Sequence, residues 1–241
     1  MKWTIELFDA VFAYLRGFFM LFSHGLGKHI IKIGLISLVV AFVCIGGILW
    51  YLISVLGHIF EGGIWNGVWE MSTVLFLAVL AFSLYKNLVL IIAGSTLGKL
   101  SEEVEEILTG KEIETIGFRD SMQDMVRGIW IGLRATLREL AITLPLLLLN
   151  FIPVLGSIIA TVLIFMVQAY YAGTGNIDLL LERKRYNIKD RVAFARNHRG
   201  LMLGNGAAFL AISLLIPVVG FILAPSMGII AATRVGVKYT S

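Results

Sequence analysis

Two long apolar runs, flanked by short polar segments, are the clearest feature of this sequence. Residues 30–56 and 71–92 are almost wholly apolar and carry one lysine each, Lys32 and Lys86. Because a helix rises about 1.5 Å per residue, both runs are long enough to cross the ~30 Å hydrocarbon core of a bilayer. They predict two transmembrane helices. Lys86 lies in the last part of the second run, where we expect its side chain to snorkel to the nearby interface rather than to serve an ion pathway.

The start of the chain has a different pattern, because apolar side chains recur every three to four positions. Lys2, Glu6, Asp9 and Arg16 interrupt the remaining face. This periodicity predicts an amphipathic helix over residues 3–22 that lies in the membrane interface. Its apolar stripe comprises Trp3, Leu7, Phe8, Val11, Phe12, Leu15, Phe18, Phe19 and Phe22.

Residues 97–138 form the most polar stretch of the chain. An apolar stripe opposed by four glutamates predicts an amphipathic helix at or beyond the membrane surface that ends near Gly110. The glutamates are Glu102, Glu103, Glu105 and Glu106. Because they alternate in pairs, we expect them to form a solvated face and not a metal site. A second surface helix is expected over residues 118–138.

An internal repeat organises the last hundred residues. Residues 152–160 and 216–224 are identical at six of nine positions and share a Pro-Val-x-Gly core. Proline breaks a helix, so each copy predicts a hairpin in which one apolar helix arrives and a second departs. The hairpins are expected over 140–171 and 201–233, with arms at 140–151, 157–171, 201–215 and 221–233. Arms of about 12 to 15 residues extend only about 18–23 Å, which favours partial insertion over full spanning.

Composition supports a membrane protein and excludes a soluble domain. Apolar residues make up 58% of the 241 positions, charged residues 15%, and the mean hydropathy is +0.88. We therefore predict an all-α integral membrane protein in a single domain, residues 1–241. It combines two long transmembrane helices, two Pro/Gly-apex helical hairpins that insert only partly, and amphipathic surface helices. The single cysteine, Cys44, excludes an intrachain disulfide. Charges scattered through the apolar N-terminus argue against a cleaved signal peptide.

The distribution of charge predicts the orientation. Residues 57–70, the loop between the two spans, contain no lysine or arginine and carry only Glu61 and Glu70. Seven basic residues lie within residues 183–199. The positive-inside rule therefore places both termini in the cytoplasm. Anionic lipid headgroups already account for the basic segments, so we expect membrane lipid and no nucleic acid as a partner.

Four short segments and one aspartate in the second half of the chain form a pattern that resembles a known family. They are LPLLLLNFIPVLG at 144–156, AYY at 169–171, Asp178, NHRGL at 197–201, and the repeat copy at 216–224. This pattern resembles the domain shared by CysZ-type sulfate permeases and the etoposide-induced membrane proteins. The order of amphipathic helix, two spans and two hairpins also fits, so the similarity covers nearly the whole chain. The resemblance implies a sulfate uptake protein of the inner membrane that does not itself hydrolyse ATP and assembles into homo-oligomers.

The resemblance also implies an anion site before the first long helix. In CysZ-type members a Gly-Leu-Arg motif, often followed by another arginine, precedes that helix and contributes to sulfate binding. The corresponding residues here are Gly25, Leu26, Gly27 and Lys28, so glycine replaces the first arginine and lysine takes the next position. Lysine supplies a flexible point charge where arginine would supply a planar fork of donors.

Physical chemistry gives the same segment an independent basis. A break before a helix exposes unpaired backbone N–H groups at the positive end of the helix dipole, which favours an oxyanion. Gly25 and Gly27 allow close backbone approach, Lys28 supplies charge, and His24 and His29 are candidate donors. The alternative is an interfacial turn whose lysines bind lipid phosphates.

The hairpins contain further candidates. The apex residues are Pro153, Gly156, Ser157, Pro217 and Gly220, and Ser157 is a candidate cap for the departing arm. Asn150, Gln168 and Asn205 are polar residues in apolar surroundings. They are expected either to face a polar path or to form interhelical hydrogen bonds that hold the bundle together.

Catalysis has no support in the sequence. The four histidines show no metal-ligand spacing, and neither a phosphate-binding loop nor a nucleophile elbow is present, so we predict no catalytic residue, metal or cofactor. The predicted function is a membrane permease for sulfate or a related small oxyanion. The alternative, favoured by glycine at position 27, is a non-transporting membrane scaffold or interaction protein with the same fold.

Overall fold

The computed structural model describes residues 2–59, 64–111, 118–152, 155–216 and 218–240, and these ranges are helical and contain no strand. The helices are α1 (Lys2–Ser23), α2 (Gly27–Ile59), α3 (Ile64–Ile92), α4 (Gly94–Thr109), α5 (Phe118–Leu147), α6 (Leu155–Arg183), α7 (Ile188–Asn197), α8 (Arg199–Leu215) and α9 (Val219–Thr240). A 3₁₀ turn, Leu148–Phe151, follows α5. The predicted all-α class is confirmed. Pro153, Pro217 and Glu61 lie outside the described residues.

Four of the described helices are long and apolar enough to cross a membrane. Two of them contain the predicted spans, and their apolar segments are Gly27–Tyr51 in α2 and Ser72–Ile92 in α3. The other two are α6 and α9, the departing arms of the two hairpins. α8 is a shorter apolar helix of 17 residues. The described part of the chain therefore has four helices that are both long and apolar enough to span, where the sequence pattern predicted two.

The departing arms are longer than the predicted segments. α6 has 29 residues and continues past residue 171 to Arg183, and α9 has 22 residues and continues past residue 233 to Thr240. At about 1.5 Å per residue they reach about 43 and 33 Å. The prediction placed their ends where the apolar pattern stops. The helices continue because their polar ends find partners on neighbouring helices: Arg183 of α6 pairs with Glu105 of α4, and Lys238 of α9 pairs with Asp9 of α1.

α5 also differs from the predicted division of the chain. The sequence predicted a surface helix to residue 138 and a separate hairpin arm from residue 140. The structure contains one continuous helix through this point, with Pro145 inside it. Proline has no N–H and removes one hydrogen bond from the helix ladder. The helix changes to the 3₁₀ turn three residues after this proline.

Both copies of the repeat have glycine at the same position, Gly156 and Gly220, and the structure shows a steric cause. A Cβ atom at Gly156 would overlap the carbonyl oxygen of Leu149, and one at Gly220 would overlap that of Ile212. In each hairpin the first turn of the departing helix therefore packs directly on the backbone of the arriving segment. Only glycine permits this approach.

The two hairpins pack against each other through small residues. The most extensive helix contact joins α6 and α8. A Cβ atom at Gly206 of α8 would overlap the carbonyl oxygen of Ala169, and one at Gly173 of α6 would overlap that of Met202. Small residues allow membrane helices to approach closely and gain van der Waals contact. The hairpins are therefore held together by backbone-to-backbone packing.

α1 packs against α8 and α9 with its acidic side chains directed inward. Glu6 is buried and accepts from His198 at 2.8 Å, and Asp9 pairs with Lys238 at 2.6 Å. The hydrogen bond from Lys238 is the main reason that the pKa of Asp9 lies below its usual 3.8. Large apolar side chains such as Phe19 are exposed on the opposite side. The polar face of α1 thus contacts protein, and its aromatic face is the one available to lipid.

Candidate functional site

The turn between α1 and α2 is tight and well defined. His24, Gly25 and Leu26 form the turn, and α2 begins at Gly27. Gly25 has a φ of +67°, a left-handed conformation that glycine adopts without steric cost. Leu26 is 1% exposed and anchors the turn in the main core. The backbone N–H groups that begin α2 therefore lie at a fixed place beside the turn.

Lys28 and His29, the next two residues, meet at one carboxylate oxygen of α4. Lys28 Nζ lies 2.9 Å and His29 Nε2 3.0 Å from Glu103 Oε1. Burial alone would raise the pKa of Glu103, but the hydrogen bonds from Lys28 and His29 outweigh it, and the pKa lies below its usual 4.5. The sequence missed this contact because it placed Glu103 on a solvated face. Two of the predicted anion-binding residues, Lys28 and His29, are thus brought together, and an internal carboxylate lies against them.

The other turn residues are more open. His24 Nδ1 lies 2.6 Å from the Ser23 hydroxyl and is exposed to solvent. A Cβ atom at Gly27 would meet no heavy atom within 4 Å. A larger side chain at position 27 would therefore project into open space. The fold therefore does not require glycine at position 27 for steric reasons.

A second polar cluster lies between α3, α5 and α6, in the apolar part of the bundle. Lys86 Nζ contacts Glu139 Oε1 at 2.7 Å and Gln168 Oε1 at 3.0 Å. Ser83 donates to the same Glu139 oxygen at 2.5 Å and accepts from Gln168 Nε2 at 3.2 Å. Lys86 is 4% exposed and Glu139 is fully buried. The expected snorkelling of Lys86 is wrong, because a buried carboxylate on α5 neutralises it inside the protein.

The surroundings of this cluster are polar on α3 and α5. Asn87 donates to the Thr136 hydroxyl at 2.6 Å. Within the described residues, Glu139 Oε2 and the hydroxyl of Thr143 are buried and have no hydrogen-bond partner. Leaving such a group without a partner costs about 1–3 kcal/mol, and more when it is charged. A cavity of about 10 Å³, the size of one water, lies beside Lys86 and Asn87.

Comparison with known proteins decides the family. The family described as "Sulfate transporter CysZ/Etoposide-induced protein 2.4" matches residues 13–225, a range that contains the turn, the first hairpin and the second hairpin as far as the early part of α9. The chain belongs to this family. The resemblance seen in the sequence is thereby confirmed.

Relatives within this CysZ/etoposide-induced family share about a quarter of their residues with this chain. A "Sulfate transporter CysZ" of Vibrio parahaemolyticus serotype O3:K6 is 27% identical over 213 residues, 83% of this chain and 85% of the relative. One of Vibrio atlanticus is 27% identical over 83% of each chain. One of Pectobacterium atrosepticum is 24% identical over 95% of this chain and 84% of the relative. The similarity extends over nearly full length.

The three polar hairpin residues form contacts within the bundle of this family member. Gln168 belongs to the Lys86 cluster. Asn205 contacts Asn176 Nδ2 at 2.9 Å through its side-chain oxygen, and its backbone carbonyl accepts from the Tyr14 hydroxyl at 2.8 Å. Asn150 donates to its neighbour Leu147 at 3.0 Å. Gln168 and Asn205 thus form the interhelical bonds that were one of the two expectations.

The apex residues occupy different roles from the predicted ones. Ser157 lies inside the first turn of α6, which begins at Leu155, so it does not precede the helix as a cap does. Its carbonyl accepts from Thr161 at 2.8 Å. Gly156 and Gly220 serve close packing, as described above. No group of three or more candidate metal ligands occurs among the described residues.

Acidic residues also bind the basic segment between the hairpins. Asp178 contacts Arg191 at 3.2 Å. Glu105 of α4 pairs with Lys184 and with Arg183. The predicted solvated face of α4 is therefore wrong for Glu103 and Glu105, because these two carboxylates are tied to cations of other helices. The sequence could not show these partners, which lie more than 70 positions away.

Proposed function

We propose that this protein is a membrane permease for sulfate or a related small oxyanion. The convergence of Lys28 Nζ and His29 Nε2 on a single oxygen of Glu103 carries this proposal. A carboxylate oxygen is the same kind of charged acceptor as an oxygen of sulfate. The residues at the turn therefore already bind an anionic oxygen. They lie at the N-terminal end of α2, where the helix dipole favours negative charge.

Access to the turn supports the same role. Lys28 is 65% exposed, so an anion in water can reach its ammonium group. Sulfate would compete with Glu103 for the side chains of Lys28 and His29 and would also reach the backbone N–H groups at Gly27 and Lys28. The relatives named as sulfate transporters supply the chemical identity of the anion.

The arrangement in the membrane is part of the proposal. We place the protein in the cytoplasmic membrane with both termini inside, as the positive-inside rule favours. The hairpins enter partway, and the support is the arriving arm of the second hairpin, α8, which has 17 residues and reaches only about 25 Å although α6 and α9 are long enough to cross. Exposed apolar helix faces bind lipid and further copies of the chain. Transport then needs no ATP hydrolysis by this chain.

Hairpin depth can be tested by cysteine labelling. Cys44 is first replaced by alanine, and single cysteines are introduced at Val154 and Val218. Partial insertion predicts that a membrane-impermeant thiol reagent added outside labels neither position. Labelling of both from outside would show that the hairpins cross the membrane.

Sulfate uptake into liposomes containing the purified protein tests the function. The Lys28→Ala variant removes the charge at the turn, and Lys32→Ala, an exposed lysine one turn further along α2, is the matched control. Lys28→Ala is expected to lose most of the uptake, while Lys32→Ala keeps it. If the two variants behave alike, the turn is a lipid anchor. If folded wild-type protein transports no more than empty liposomes, the scaffold alternative is correct.

A further inference from the structure

The ion pair of Lys86 and Glu139 lies where a purely structural role is unfavourable. Both side chains are buried inside the helix bundle, where removing two charges from water offsets most of their attraction. Well-packed apolar residues in place of such a pair are often equally stable or more stable. Ionisable residues inside membrane bundles therefore mark sites through which ions or protons pass.

The donors of this cluster are arranged around one anionic oxygen. Lys86 and Ser83, one helical turn apart on α3, both donate to Glu139 Oε1 at 2.7 and 2.5 Å. Gln168 of α6 bonds to both donors and fixes their positions. An ammonium group, a hydroxyl and an amide from two helices form the donor set that a tetrahedral oxyanion needs.

Glu139 itself is held on one side only. Its second oxygen is buried and has no partner among the described residues. The hydroxyl of Thr143, four residues along the same helix face, is also buried and lacks a described partner. A carboxylate displaced from Lys86 thus has an unused donor one turn away. Pro145, which removes a hydrogen bond from α5, gives this helix a place to bend.

We infer that Lys86, Ser83 and Gln168 form an oxyanion-binding site inside the membrane bundle, which the carboxylate of Glu139 occupies in this conformation. The adjoining cavity has a volume of about 10 Å³, which is room for one water and too small for a sulfate ion, so the site is closed until Glu139 moves away. This inference rests on the proposed permease function and adds a second anion-binding site to the transport path. At this site the carboxylate of Glu139 competes with the transported anion.

Sulfate uptake by reconstituted protein, measured against sulfate concentration, tests the inference with three variants. Glu139→Gln keeps a hydrogen-bonding group and leaves Lys86 without its counter-ion. Lys86→Gln removes the cation, and the double variant Lys86→Gln/Glu139→Gln is neutral, so it avoids an unpaired buried charge. Thermal unfolding of each variant reports folding, and equilibrium sulfate binding reports the turn at Lys28.

The double variant is expected to fold, to bind sulfate at the turn, and to lose uptake by at least about tenfold, the change that ~1.4 kcal/mol produces. Glu139→Gln is expected to lower the KM for sulfate. Wild-type uptake by the folded double variant, or a higher KM in folded Glu139→Gln, would show that the pair is structural and overturn the inference alone. Absence of uptake by the wild-type protein would overturn the permease function and this inference together.

Discussion

Replacing Glu103 by glutamine is predicted to tighten sulfate binding at the turn between α1 and α2. In the wild-type protein the carboxylate contacts Lys28 at 2.9 Å and His29 at 3.0 Å, so it competes with any external anion. Glutamine keeps the size of the side chain and one acceptor oxygen but removes the negative charge. Lys28 and His29 are then free to bind an anion from solution.

The size of this effect follows from the exposure of the pair. Lys28 is largely exposed and Glu103 is one-third exposed, so their attraction is that of a surface ion pair, about 0.2–1 kcal/mol. The Glu103 carboxylate, held by this free energy, lowers the apparent affinity for an external anion by about two- to sixfold. The reason is that only the fraction of molecules in which Lys28 is not paired with Glu103 binds the anion. The Glu103→Gln variant should therefore bind sulfate about two- to sixfold more tightly.

Isothermal titration of detergent-purified protein with sulfate, at fixed ionic strength, measures this change. Glu102→Gln is the matched control, since it removes the same charge from the adjacent position of α4. It should change the dissociation constant much less than Glu103→Gln does. An unchanged or larger dissociation constant for Glu103→Gln would refute the reasoning. An equal gain in both variants would show that only the overall charge matters.

Three further predictions follow from the same structure. The higher sulfate affinity of Glu103→Gln relative to wild type should be present above pH 4.5 and vanish as the pH falls through the lowered pKa of Glu103, because the protonated carboxyl group of the wild type no longer competes with sulfate. A difference in affinity that persists at lower pH would contradict this prediction. Gly27→Arg fills open space and supplies a fork of donors, so sulfate titration should show tighter binding than wild type, and weaker binding would argue against a site at the turn. Gly206→Ala overlaps the Ala169 carbonyl and should destabilise the protein by about 1–3 kcal/mol in thermal unfolding, whereas Gly46→Ala, which meets no neighbour, should not.

The elements of the fold were largely predictable from the chain itself. The apolar runs placed α2 and α3, and the Pro-Val-x-Gly repeat placed both hairpins, because these features depend on residues close together in sequence. The ends of the elements were less predictable. α6 continues to Arg183 because its polar end is paired with Glu105 of α4, a partner that local periodicity does not reveal.

The sequence predicted the donors of the candidate anion site but not the carboxylate that contacts them. The sequence identified Lys28 and His29 as donors but not their acceptor, Glu103, which lies 74 residues from His29 on another helix. It likewise treated Lys86 as a single charge that reaches the interface. Glu139 follows Arg138 at the end of the most polar stretch, so the sequence gives no sign of this pairing, and only the packing of α5 against α3 shows that the two residues meet.

Initial uptake of labelled sulfate by liposomes that contain the wild-type protein is the most direct test of the central claim. The permease function predicts uptake above that of protein-free liposomes, saturation with sulfate concentration, and a large loss of rate in Lys28→Ala. Uptake no faster than in protein-free liposomes, with the reconstituted protein folded, would contradict it.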